Sequence, residues 1–166
     1  VQGNVNLNKK LSVKKLPVKF KTVDGFFDIS NNGLTSLDGC PKTVTGDFNC
    51  SRNSLISLFE GPTEVNDFDC SYNQLKNLSY APKEVKGNFD CSNNLIDSVK
   101  GMPRTVKGYF NCSTNKIATL KGGPKYVDAT FDCSQNLIDR LTGGPVSVGQ
   151  DYLCFKNNLT DLDGVA

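Results

Sequence analysis

Six of the seven cysteines recur at regular steps: Cys50, Cys70, Cys91, Cys112, Cys133 and Cys154 lie 20, 21, 21, 21 and 21 residues apart. A cysteine can serve as nucleophile, metal ligand or disulfide partner, and each role leaves its own pattern. A nucleophile needs a base beside it, and the chain contains no His to form a Cys-His or Ser-His pair. A zinc site gathers four ligands, and no C-x-x-C pair occurs. Disulfides fit poorly as well, because Ile29 takes the same place in an earlier copy of the pattern. That place asks for a small buried apolar group, which a free cysteine supplies. Cys40 stands apart, in a turn. All seven are read as thiols in a reducing compartment.

Carboxylates are the second candidate chemistry. With the recurring Cys as position 0, position −1 reads Asp28, Asn49, Asp69, Asp90, Asn111, Asp132 and Leu153. Position −3 supplies Asp47, Asp67, Tyr109 and Asp151, and position +2 supplies Arg52, Tyr72 and Lys156. Acid pairs such as Asp67 and Asp69 beside Asp90 are repeat positions rather than a converged catalytic site. Rows of carboxylates also lack the wrapping loop of a calcium site. No catalytic residue, cofactor or metal is assigned, and the chain is read as a non-enzyme. The N-x-S/T triplets at Asn49, Asn77, Asn111 and Asn158 are by-products of the repeat.

The elements that carry these residues follow from the period. Position −2 is aromatic, position +3 is Asn (Asn32, Asn53, Asn73, Asn94, Asn115, Asn136, Asn157), and positions +5 and +8 are aliphatic. Pro at +12 and Val at +15 recur from Pro41 and Val44 to Pro145 and Val148. A fixed period near 21 residues marks a solenoid, whose units touch only their neighbours. Apolar −2 and 0 between mostly polar −3, −1 and +1 is strand alternation, so parallel strands are predicted over 27–29, 48–50, 68–70, 89–91, 110–112, 131–133 and 152–154. The return segment, short and broken by Pro and Gly, is expected to be extended or polyproline-like, without helix. The Asn column is assigned a structural ladder, since an amide supplies both donors and an acceptor to buried turn groups.

The phrase resembles a leucine-rich repeat, with the Phe, Cys and Asn positions in the places of its two strand leucines and its asparagine. The match runs over residues 24–166 in seven copies, the last truncated. Residues 1–23 form a degenerate, Lys-rich capping unit in which Val5-Asn6-Leu7 alternates like a strand. More narrowly, Phe-Asp-Cys-Ser-x-Asn-x-Leu followed by Pro-x-x-Val is similar to bacteriophage-encoded leucine-rich repeats, and in pattern to those of type III secreted effectors. The resemblance implies a parallel sheet on a concave face, a non-helical convex side and recognition of a host bacterial protein in the bacterial cytoplasm. It also suggests inhibition of a host or defence function. Its alternative is the substrate-recognition half of a larger ligase-type effector.

The residues assigned to partner binding are Asp28, Asp47, Arg52, Asp67, Asp69, Tyr72, Asp90, Tyr109, Asp132, Leu153 and Phe155. They make an acidic, polar face with aromatic anchors, suited to a basic or polar protein surface. A monomer is expected, and no run is long and apolar enough to cross a membrane. Net charge is +2, but Lys9, Lys10, Lys14, Lys15, Lys19 and Lys21 give residues 1–23 a charge of +6, leaving −4 beyond them. The lysines are read first as a solvated cap. Nucleic-acid binding through them is the lesser reading, because only Phe20 could stack among them.

Overall fold

The computed structural model describes residues 1–165; Ala166, the last residue of the seven-copy span assigned from the sequence, lies outside them. The chain runs β1 (Val5–Asn6), β2 (Thr22–Val23), β3 (Phe27–Asp28), β4 (Thr43–Val44) and β5 (Phe48–Asn49). It continues through β6 (Glu64–Val65), β7 (Phe68–Asp69), β8 (Glu84–Val85), β9 (Phe89–Asp90) and β10 (Thr105–Val106). The last five are β11 (Phe110–Asn111), β12 (Tyr126–Val127), β13 (Phe131–Asp132), β14 (Ser147–Val148) and β15 (Tyr152–Leu153). The described residues contain no helix. All odd-numbered strands form one eight-stranded parallel sheet in chain order. Even-numbered strands form two shorter sheets, β2-β4-β6-β8 and β10-β12-β14. The molecule is therefore a parallel β-solenoid of about 21-residue turns, each giving one strand to the long sheet and, up to β14, one to an outer ladder.

Register follows the repeat. Phe27 pairs with Phe48, Phe48 with Phe68, Phe68 with Phe89, and so on to Phe131 with Tyr152. Their rings form one buried column, with centroids of successive rings between 5.0 and 5.9 Å apart. Phe20 closes the column edge-on against Phe27 at 5.0 Å, so the first 23 residues cover the solenoid's end with an aromatic side chain. Ile29, the column cysteines through Cys133, and the +5, +8 and +15 aliphatics through Leu141 and Val127 complete the core.

Two expectations change. The return segment is extended, but it also pairs, forming the outer ladder at +14 and +15. Val at +15 is buried from Val23 to Val127, and backbone bonds such as Lys83 N to Thr63 O (3.1 Å) and Lys86 N to Val65 O (3.2 Å) join successive turns. Pro at +12 precedes this ladder, where its missing N–H costs nothing. All seven cysteines are free, but the least buried is Cys154, whereas Cys40 is buried. Cys40 closes a turn by donating its N–H to Leu37 O (2.9 Å), at a buried position that Gly61, Ala81 and the larger Met102 take in later units. Cys154 lies behind the last strand, with no further turn stacked upon it.

Candidate recognition surface

Each unit leaves the long sheet through the same turn. At −1, Oδ1 of Asp28, Asp69, Asp90 and Asp132 accepts the N–H of the Ser two residues on, at 2.8–2.9 Å. Asn49 and Asn111 do the same at 3.0 Å, and Asn6 accepts from Asn8 at 3.1 Å. The next residue, at +2, is left-handed in every unit: Lys9, Asn31, Arg52, Tyr72, Asn93, Thr114, Gln135 and Lys156 all have φ between 52° and 57°. This reversal brings the +3 Asn inward. Asn94 Nδ2 donates to the Cys70, Cys91 and Ser92 carbonyls at 3.1–3.2 Å, and its Oδ1 accepts the Leu75 N–H at 3.0 Å. The other Asn residues of the column make equivalent bonds, each stitching its turn to the preceding one.

A second side-chain ladder runs along −3. Asn4 Oδ1 accepts from Phe26 N, Asp47 Oδ1 from Asp67 N, Asp67 Oδ1 from Asn88 N and Asn88 Oδ1 from Tyr109 N, at 2.8–3.1 Å. These side chains fold over the following unit, where a Cβ at Gly87 or Gly108 would meet Asp67 Oδ1 or Asn88 Oδ1. Tyr109 cannot continue the ladder, and Ala129 stands where the next glycine would.

The rows therefore do structural work that the sequence pattern did not reveal, and the face they build is mixed in kind. Asp28, Asp69, Asp90 and Asp132 are half-buried, each with a second carboxylate oxygen beyond the turn bond. Asp69 and Asp90 are register partners on adjacent strands. Burial, more than the neighbouring Asp69, holds the Asp90 carboxyl above the usual carboxylate range, although Ser92 hydrogen bonds counteract it. Tyr109 stands over this acidic stretch, its phenol pushed up to about 12 by burial and then by Asp90, Asp69 and Asp67. Asp90, Tyr109, Asn111, Thr130 and Asp132 line an open hollow of about 440 Å³.

Further along, the Arg52 guanidinium lies 4.2 Å from the centre of the Tyr72 ring, joining two of the assigned residues. Tyr72 and Tyr109 are exposed aromatics. Asp47 and Asp67 are brought together through their ladder and Asn66, whose Nδ2 donates to Asp47 Oδ1 at 2.7 Å. Leu153 and Phe155 lie apart, at the far end of the sheet on and after β15. Among the described residues no three Cys, Asp or Glu side chains converge to hold a metal ion. What the face offers is directional acceptors, negative charge and aromatic contact.

In the return segments, the sequence reading missed the exposed pair Phe59 and Tyr80 in the turns before the outer ladder and the cations Lys83, Lys86, Arg104 and Lys107 that flank it. The available signal was the +10 column, which is Gly in most units but Glu60 and Tyr80 in two. Comparison with protein families, with curated proteins and with solved structures finds no match.

Proposed function

We propose that this chain is a non-catalytic recognition solenoid of the leucine-rich-repeat kind, binding a basic or polar protein surface through the outward face of its long sheet. One observation carries the reading. Asn6, Asn49 and Asn111 close the −1 turn without charge, yet Asp28, Asp69, Asp90 and Asp132 close it with one. The turn therefore does not require the carboxylates, and crowding Asp69 against a partly buried Asp90 costs folding free energy. A cationic partner surface offsets that cost and gains in on-rate and specificity. Arg52, Tyr72 and Tyr109 supply anchors of the types that dominate binding interfaces. Asp47, Asp67, Leu153 and Phe155 extend the contact to either side.

The resemblance to phage-encoded leucine-rich repeats supplies the setting: a host bacterial protein met in a reducing cytoplasm, with inhibition of host or defence function as the consequence. Seven free thiols fit that compartment.

The test compares proteins captured from host lysate by the wild-type chain and by the Asp69→Asn/Asp90→Asn variant. The variant should melt at the same or a higher temperature and lose affinity, chiefly in association rate and most at low salt. Tyr72→Ala and Tyr109→Ala should act mainly by speeding dissociation. A partner retained equally by all these variants would place the binding surface elsewhere.

A further inference from the structure

The outer ladder is interrupted once among the described residues, between β8 and β10. Before the gap, Lys83 N and Lys86 N donate to the preceding turn; after it, Lys125 N donates to Arg104 O (2.8 Å) and Asp128 N to Val106 O (3.0 Å). The equivalent bonds across the gap, from Arg104 N to Lys83 O and from Lys107 N to Val85 O, are not formed. The long sheet passes the same point intact, with Phe89 paired to Phe110. The units have thus parted over residues 104–107 only, with Gly108 N still donating to Gly87 O at 2.9 Å, and the Arg104 and Lys107 N–H groups are left without a backbone partner beside a groove.

That groove, about 340 Å³, is lined by Lys83, Lys86, Arg104 and Lys107, with Glu84 among them. Positions +13 and +16 are both cationic only in these two adjacent units. Lys107 pairs with Asp128 at 3.1 Å, and Lys83 Nζ donates to Gly101 O at 3.3 Å. Among the described residues, Lys86 and Arg104 have no salt-bridge partner. Four cations beside unpaired N–H groups suit a compact oxyanion with several acceptor oxygens.

Lys83 also walls a neighbouring hollow of about 720 Å³, where Tyr80 presents its ring. Tyr80 is 60% exposed and braced edge-on by Phe59, with centroids 5.2 Å apart. Its φ of 68° puts it, like Glu60 (φ 71°) one unit before, at a left-handed position that Gly39, Gly101, Gly122, Gly143 and Gly164 fill in the other units. A bulky residue held there is strained backbone retained against the repeat's own solution.

We infer that the gap is a binding site for a nucleoside phosphate: the phosphoryl group between Lys83, Lys86, Arg104 and Lys107, the base against Tyr80. The site is separate from the acidic sheet face and does not depend on the function proposed for it.

Three probes would be titrated at low salt into the full chain: inorganic phosphate, adenosine monophosphate and a short single-stranded oligonucleotide. The nucleotide should bind about tenfold more tightly than phosphate, the difference being stacking, and should shift the Arg104 and Lys107 amide resonances. Tighter binding of the oligonucleotide identifies the source as a strand; equal or weaker binding identifies a free nucleotide. Lys86→Gln/Arg104→Gln should abolish binding. Tyr80→Gly should reduce nucleotide affinity to that of phosphate while raising the melting temperature, which a structural role for the ring would not do. The inference fails if no nucleotide probe binds. It also fails if binding survives Lys86→Gln/Arg104→Gln, if it is lost on replacing Lys9, Lys10, Lys14 and Lys15 instead, or if only an acidic peptide occupies the groove.

Discussion

At the scale of single residues, the left-handed +2 position shows what a sequence pattern can hide. Its occupants, from Lys9 through Thr114 to Lys156, share a backbone conformation and no side-chain chemistry, so no column betrays it. Thr114 is the worst placed, since a β-branched side chain crowds a left-handed backbone. Thr114→Asn should raise stability by roughly 0.5–1 kcal/mol in denaturant melts; a loss would mean that the Thr side chain makes a contact of its own. The Asn column, by contrast, was legible, because the same residue type answers the same need in every unit. Asn94→Ala strands the Leu75 N–H and removes one of the two donors at each of the Cys70, Cys91 and Ser92 carbonyls, and should cost about 1–3 kcal/mol. Asn157→Ala, at the less buried last turn, should cost less. Equal losses at the two sites would show that the bonds do not depend on burial.

Among the elements, the long sheet could be read from alternation and period, down to the residue pairs that share register. The outer ladder could not, because Pro-x-x-Val names an extended segment without saying whether its backbone bonds to a neighbour or to water. The acidic rows were visible as a surface but not as turn and ladder acceptors, which depend on the reversal at +2. The cysteine column makes a pH prediction. Burial pushes the thiols of Cys50, Cys70, Cys91, Cys112 and Cys133 up, and that of Cys40 to about 12. In the unfolded chain they ionise at ordinary values, so as pH rises past roughly 9 the unfolded state sheds protons that the folded state keeps. Each such thiol removes about 1.4 kcal/mol of stability per pH unit until its folded-state value is reached. Melting temperature should fall steeply between pH 9 and 10.5, and a flat profile would refute burial of the column. At neutral pH a thiol reagent should find Cys154 in the native protein and all seven cysteines in denaturant.

For the whole molecule, charge is distributed against stability: acids cluster on the long sheet and cations at the break in the outer ladder. The Asp90 carboxyl, raised by burial, carries a cost of the opposite sense to a salt-bridged acid. As pH falls through its folded value the native group takes up a proton and the cost begins to shrink, vanishing only below the ordinary carboxylate value of the unfolded chain; at neutral pH the cost is present in full. Asp90→Asn should therefore raise the melting temperature at pH 7, with the gain over wild type shrinking as pH falls toward 4. A gain independent of pH would assign the effect to packing rather than charge.

Strand pairing between turns 20–22 residues apart also has a mechanical consequence. Among the described residues no distant segment locks the chain, so tension on its two ends meets one interface at a time. Phe20 shields the first end, whereas Tyr152 and Cys154 lie partly open at the other, and peeling should begin there. Each turn released would lengthen the molecule by roughly 70 Å. A pulled molecule should give a staircase of near-equal steps, not the single rupture of a cooperatively closed domain.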